Sequence, residues 1–542
     1  MGEESNREKG PESSPGKETK AGEERRPVVW EEKSMQQEQT VDITAQTQLW
    51  ETGAQESEEQ KNHRAQLFSM MLVPTLIYGL LFTILLYDNF AGITMPVFVL
   101  VTIGYCLYLL AKFRKTKLKG LRLKPLTIFC MVGMFALAVS VCMTGNYVVI
   151  GMNLAGIFLL LVSMLLSEIC NTEKWTLAKG LTAISETVFG AVGSVGEPFR
   201  DLICFRKKKE KQKNSRFLYV MLGIVCGLPV LGTVLGLLCQ ADAVFAGILG
   251  DLWKVNWHIS GAVKVVLFFV YGVFAAYCGI RFLEKGKIAS ESKDLRRLEP
   301  VIANTMLVML SVIYLVFSFV QIFSLFFRQM RLPQGYTYAE YAREGFFQLL
   351  FVCIISVLLV LFFMGCFREN RIKRILLTVI CGCTYLMIAS SAFRMCLYIH
   401  FYHLTFLRVF VLWMLVLLGI LLAGILVQMY RETFPLFWYT VVAVTCCVFL
   451  FGILRPDYWI AKYDLEHMEQ SEVEREENYD YFSALSSDAA PVIAKYEGEW
   501  TQNYWWSVQY EMQDGLRKYN ISREKARKLM EDQEILSERE WE

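Results

Sequence analysis

Apolar residues occupy this chain in long blocks, not in stripes. From Leu67 to Leu454, uncharged runs of about 20 residues, long enough to cross a hydrocarbon core as a helix, recur between short polar breaks. Eleven spans are expected, near 67–87, 91–111, 125–143, 147–167, 217–239, 259–281, 300–327, 346–366, 373–399, 404–429 and 434–454. Two stretches between them have a different pattern. Over 174–205, Leu177, Leu181, Ile184, Val188, Val192, Val195, Phe199 and Leu202 recur at spacings of three and four, which predicts an amphipathic helix lying in the membrane surface. The stretch 244–258, with Trp253 and Trp257, reads as an interfacial segment.

The ends are polar. Residues 1–64 carry too few large apolar side chains to offset the entropy of ordering and are expected to be disordered, with no cleavable signal peptide among them. After Leu454 helical periodicity returns in a polar, aromatic-rich tail over 455–542, expected to be too small for a strong core of its own. The Asn520-Ile-Ser522 stretch reads as a helix start with Ser522 as N-cap. The fold class is therefore all-α: a polytopic membrane module of about eleven helices over 65–454, flanked by a disordered tail and a small helical one.

Composition agrees, since 54% of the 542 residues are apolar and only 20% charged. Charge then orients the module. Residues 1–64 hold 9 Lys and Arg against 15 Asp and Glu, and residues 455–542 hold 11 against 21, so both tails are acidic while the membrane part carries a large basic excess. That excess lies in alternate loops, 111–124, 205–216, 281–297 and 367–374, and basic loops face the cytoplasm. Eleven spans then leave the N-terminus cytoplasmic and the C-terminal tail on the other side. Lys207, Lys208 and Lys209, directly after the amphipathic stretch, are candidates for contact with anionic lipid headgroups. The 15 cysteines mostly lie inside apolar blocks, as small hydrophobes.

Candidate chemistry concentrates in "SSAFRMCLYIHFYHLTFLR" (390–408). Arg394 and Arg408 fall near the outer ends of two antiparallel spans joined by a few residues, among Tyr398, Tyr402, His400 and His403, with Arg343 before the eighth span at the same level. Snorkelling explains a lone cation of this kind, such as Lys264. Two arginines meeting at one place need an anion between them, and the candidates are a lipid phosphate, a substrate carboxylate or the tail's own Asp457, Asp464 and Asp480. The tail is the preferred partner.

The stretches "YAEYAREGFFQLL" (338–350), "SAFRMCLYIHFYHLTFLR" (391–408), "RPDYWIAKYDLEH" (455–467) and "YDYFSALSSDAAP" (479–491) resemble, in order and spacing, a family of bacterial polytopic membrane proteins catalogued only as a domain of unknown function. The resemblance implies a multi-spanning protein of the bacterial plasma membrane with a short outer helical segment, and it supplies no activity. His403 stands where the family usually has Gly, which argues against a tight glycine turn there, and Arg455 stands where it usually has Asn.

Nucleotide-loop, hydrolase, zinc-protease and kinase motifs are missing, and no cofactor, metal site or nucleic-acid partner is expected. The residues favour a non-enzymatic envelope protein, a sensor, scaffold or partner subunit embedded in the lipid bilayer and touching an envelope protein. A transporter or lipid flippase stays open through Pro74, Pro96, Pro229 and the glycines of 223–236, although no Asp or Glu lies near mid-span. An enzyme acting on a lipid-linked substrate, using His400, His403, Glu344 and Asp457, also stays open.

Overall fold

The computed structural model describes residues 58–114, 122–173, 175–209, 238, 261–286, 296, 298–326, 338–468, 476–512 and 515–532. Helices in chain order are α1 (Glu58–Leu86), α2 (Thr94–Phe113), α3 (Pro125–Met143), α4 (Tyr147–Ile169), α5 (Leu177–Gly193), α6 (Glu197–Lys209), α7 (Gly261–Glu284), α8 (Pro300–Phe326) and α9 (Tyr338–Cys366). They continue with α10 (Arg371–Tyr402), α11 (Phe406–Tyr430), α12 (Leu436–Leu454), α13 (Pro456–His467), α14 (Glu476–Ser483), α15 (Ala490–Ile493), α16 (Glu499–Tyr510) and α17 (Ile521–Asp532). Among the described residues ten helices, α1–α4 and α7–α12, are long and apolar enough to cross a membrane. The span expected at 217–239, the interfacial segment at 244–258 and the disordered N-terminal tail fall outside the described residues.

Two main cores and a smaller cluster of Phe346, Met395, Ile399, Val411 and Leu415 between α9, α10 and α11 hold the membrane module together. One gathers α1–α4, α7 and α12 around Met71, Leu109, Met134, Leu137, Leu166 and Trp175. The other gathers α8–α11 around Leu307, Cys353, Phe363, Leu377, Cys381 and Leu422, with Leu436 at the start of α12 joining it. Outward-facing side chains such as Val73, Val132, Val301, Met309 and Phe319 stay exposed and apolar, as a lipid-facing surface requires.

The amphipathic stretch is two helices, not one. The chain breaks at Ser194–Gly196, and α5 tucks one side into the bundle, where a Cβ on Gly180 would collide with Phe437 and one on Gly190 with Phe282. Leu181, Phe189 and Val192 remain exposed on its other side. Helix α6 is tied to α7 by buried Asp201, which accepts from Arg281 Nε at 2.8 Å and from Tyr277 Oη at 2.8 Å. Lys207, Lys208 and Lys209 form the last turn of α6.

The helix ends sort by chemistry. Arg114, Lys124, Arg281, Lys285, Arg368 and Lys373 lie at the end where α2, α4, α7 and α9 finish and where α8 and α10 begin. The polar tail covers the other end and, contrary to the expectation from its length, builds its own core of Ile460, Phe482, Ile493, Trp500, Tyr504, Trp505, Ala526 and Met530.

Among the described residues three non-glycine positions have positive φ: Asp88 at 55°, in a region aspartate tolerates, and two others. His403 has φ 62° and ψ −178°, a combination close to glycine's own territory, and Arg455 is left-handed at φ 50°, ψ 78°. The tight turn expected to be lost with the absent glycine is therefore present, with a histidine forced into it. His403→Gly is expected to stabilise the protein by about 1–3 kcal/mol and Arg455→Asn by about 1 kcal/mol, since Gly and Asn enter these regions with little penalty. Thermal unfolding in detergent measures both.

Candidate functional site

The site begins with a requirement of the backbone. Each helix leaves N–H groups unbonded at its start and carbonyls unbonded at its end, and at a membrane boundary these need partners. On the tail side those partners come from the tail.

Helices that start at this end receive acceptors. At α11, the Asp464 carboxylate accepts from Leu404 N at 2.8 Å and the Tyr481 hydroxyl accepts from Phe406 N at 2.8 Å, while Thr405 makes no side-chain cap. At α4, Asn146 caps Val148 N and Val149 N with its Oδ1 and donates through Nδ2 to Asp457 Oδ2 at 2.9 Å. One residue earlier, Asp488 accepts from Gly145 N at 3.3 Å and from the Thr144 hydroxyl. At α2, the carbonyl of Tyr519 accepts from Ile93 N at 2.9 Å. Carboxylates at helix N-termini also meet the positive end of the helix dipole.

Helices that finish at this end receive donors. Arg517 donates to the carbonyl of Tyr87 beyond α1 at 2.6 Å. Asn520, which is 2% exposed, directs its Nδ2 at the carbonyls of Ala91 (3.0 Å), Val141 (3.2 Å) and Thr144 (3.0 Å). Its Oδ1 meanwhile caps α17 by accepting from Ser522 N at 3.0 Å and Arg523 N at 3.4 Å. The N-cap of α17 is thus Asn520, and Ser522 instead shares a hydrogen bond with Ser487.

The residues singled out in the sequence separate into three places. Tyr398, Tyr402 and Arg408 come together: the Arg408 guanidinium lies 4.2 Å from the Tyr398 ring centroid and donates to the last carbonyls of α10, those of Tyr402 and His403. Arg394 does not join them. It is buried and donates to Gln321 Oε1 of α8 at 3.2 Å, an oxygen that also accepts from Ser390 at 2.7 Å. Asp457 bonds Asn146 and Ser486. Arg343 is within α9, and its side chain is outside the described residues. The carboxylate that does approach Arg408 is Asp464. The tail carboxylates therefore meet the membrane module mainly through N–H groups and neutral side chains. Nothing in the spacing of Asn146, Thr144, Asp488 and Asn520 announced this; the available signal was their position at predicted helix ends.

A second polar feature lies inside the membrane. On α8, Asn304, Ser311, Tyr314, Ser318 and Gln321 add polar groups to the side that packs on α9 and α10 with Ala303 and Leu307, while the opposite side, with Val301, Met309, Val312 and Phe319, is apolar and exposed. Tyr314 pairs with Ser356 of α9 at 2.8 Å. Among the described residues, the buried hydroxyls of Ser311, Ser318 and Ser391 and the carbonyl oxygen of Asn304 have no hydrogen-bond partner.

Burial gives the tail contacts a pH dependence. Desolvation pushes the Asp464 carboxyl up to about 7, opposed by the Leu404 N–H, by Arg408 and by His467. Burial also raises Asp488 and Glu511. A raised folded pKa means that the folded state holds a proton the unfolded state has lost, so stability is full below the unfolded value near 3.8 and falls as pH rises to about 7. The tail is expected to be more resistant to limited proteolysis at pH 5 than at pH 8, and Asp464→Asn to flatten that difference.

A family model described as Domain of unknown function (DUF4153) matches residues 129–496, more than half of the chain. That range takes in Asp457, Asp464 and Asp488 with their partners at α4 and α11, and leaves out Asn520. No curated protein and no solved structure matches the chain. This multi-spanning, all-helical protein belongs to the DUF4153 family.

Proposed function

We propose that the protein is a non-enzymatic component of the bacterial plasma membrane, a sensor or scaffold that presents its C-terminal cap to an envelope partner. One observation carries this reading. The tail bonds to the α3–α4 turn of one membrane core through Asp457, Asp488 and Asn520, and to the α10–α11 turn of the other through Asp464 and Tyr481. A body bonded to both cores couples their relative positions to whatever binds or protonates it. The orientation proposed has the basic end in the cytoplasm, near anionic lipid headgroups, and the cap outside.

Alkaline phosphatase fused to the C-terminus is expected to be active, and an inactive fusion overturns the orientation. Asn520→Ala leaves three carbonyls and two N–H groups short of a partner. It is expected to lower stability by about 3 kcal/mol and to expose the tail to protease while the membrane module stays intact. Unchanged proteolysis would remove the cap from the proposal.

The seam on α8 favours a second reading, a transporter or lipid flippase, because buried hydroxyls without partners can line a polar path. The Ser311→Ala, Ser318→Ala double variant separates the two. A dry structural seam is expected to gain a few degrees in Tm when unpartnered hydroxyls are removed, whereas a seam that holds water or solute is expected to lose stability.

A further inference from the structure

The tail contains a basic pocket that the capping contacts leave unused. It lies where the 3-10 turn Leu516–Lys518 leads into α17, encloses about 230 Å³ and is lined by Lys518, Tyr519, Arg523, Glu524 and Arg527 among others. Three cations face one carboxylate there. Lys518 bonds Asp88 at 2.8 Å and Arg527 lies 3.9 Å from Glu524, so both have a counter-charge within reach at the rim.

Arg523 is different. It is only 9% exposed, its guanidinium lies 5.7 Å from the Tyr147 ring centroid, and it donates to the Tyr147 hydroxyl at 3.4 Å. Among the described residues its buried Nε–H has no hydrogen-bond partner. The nearby carboxyl is that of Glu511, whose Oε2 is likewise buried and unpartnered and whose pKa burial raises, so it offsets the arginine only in part. A buried N–H of a permanent cation left unbonded carries its full desolvation penalty unless something fills the space beside it.

The surroundings say what that something is. The pocket sits against the α1–α2 turn, through Lys518 with Asp88 and Tyr519 O with Ile93 N, and against the start of α4 through Tyr147. These are ends of membrane-spanning helices, so the pocket lies at headgroup level. Leu516, at the tip of the turn beside Arg517 and Lys518, is 90% exposed, and Phe90, Ile93 and Tyr519 near it are also exposed. An exposed leucine flanked by cations at a membrane boundary fits insertion into the acyl region with the basic groups at phosphate level.

We propose that this pocket binds the phosphate of an anionic phospholipid in the leaflet that faces the tail, with Arg523 as the buried ligand, Lys518 and Arg527 at the rim and Leu516 inserted beside the acyl chains. The proposal does not depend on whether the protein is a scaffold or a transporter, nor on which leaflet faces outward.

The test uses the full-length chain, purified in detergent and stripped of lipid, with retention of added phosphatidylglycerol and phosphatidylcholine read by native mass spectrometry. Phosphatidylglycerol is expected to be held at least fivefold better than phosphatidylcholine, and both Arg523→Gln and Arg527→Gln to lose that preference. Arg527 is partly exposed, so its variant keeps the experiment decisive if Arg523→Gln fails to fold. Equal retention of the two lipids, or an undiminished preference in Arg527→Gln, overturns the proposal. Inorganic phosphate is the third arm: if it raises Tm as far as phosphatidylglycerol does, the pocket is a free-anion site and the lipid assignment is wrong.

Discussion

The constraint on which this structure depends is that a helix crossing a membrane arrives at the boundary with polar backbone groups still to be satisfied. Short loops can satisfy few of them. At the tail end the chain meets the requirement with a second body: acceptors Asp464, Tyr481 and Asp488 stand over helices that begin there, and donors Asn520 and Arg517 stand over helices that end there. The same logic operates at the basic end. Lys124 Nζ donates to the closing carbonyls of α4, including Cys170 O at 2.7 Å, and Glu168 accepts from Lys124 N at the start of α3 at 3.0 Å. Lys373, 1% exposed, bonds the Phe367 carbonyl at the close of α9 at 2.9 Å.

Seen this way, the cations near the membrane boundary need no shared anion. Arg408 is held by the carbonyl end of its own neighbouring helix and by the face of Tyr398, with the Asp464 carboxylate of the tail also nearby. Arg394 is a different case, buried against Gln321 and continuous with the polar stripe of α8. Arg394 and Arg408, which flank one turn in the sequence, thus bond different groups, Gln321 of α8 for one and the carbonyls of Tyr402 and His403 for the other.

The spans were legible because a block of apolar residues has one solution in lipid, and α3 and α12 begin and end within two residues of where the pattern places them. The break between α5 and α6 was less so, since the three-four spacing continues through Ser194–Gly196 and only the packing of Gly180 and Gly190 against aromatic rings shows that α5 leaves the surface. The docking residues were hardest to read. Asp457 and Asp464 stand out as charges, but their partners are backbone N–H groups and an asparagine, which carry no compositional signal, and Asn520 acts across 376 to 429 positions of sequence separation.

The strained residues bear on how firmly the cap is held. His403 and Arg455 sit at two of the joints between membrane module and tail, one beside the Asp464 contact and the other at the point where α12 passes into α13. A non-glycine residue stays in such a conformation only when its neighbours over-determine it. At His403 those neighbours are Arg408 on the carbonyl and Asp464 on the next N–H. Protonation of Asp464 relieves the desolvation of a buried charge, while the Leu404 N–H and Arg408 favour the ionised form. The backbone conformation of the turn thus rests in part on a tail carboxylate, Asp464, which accepts from the N–H that follows the histidine.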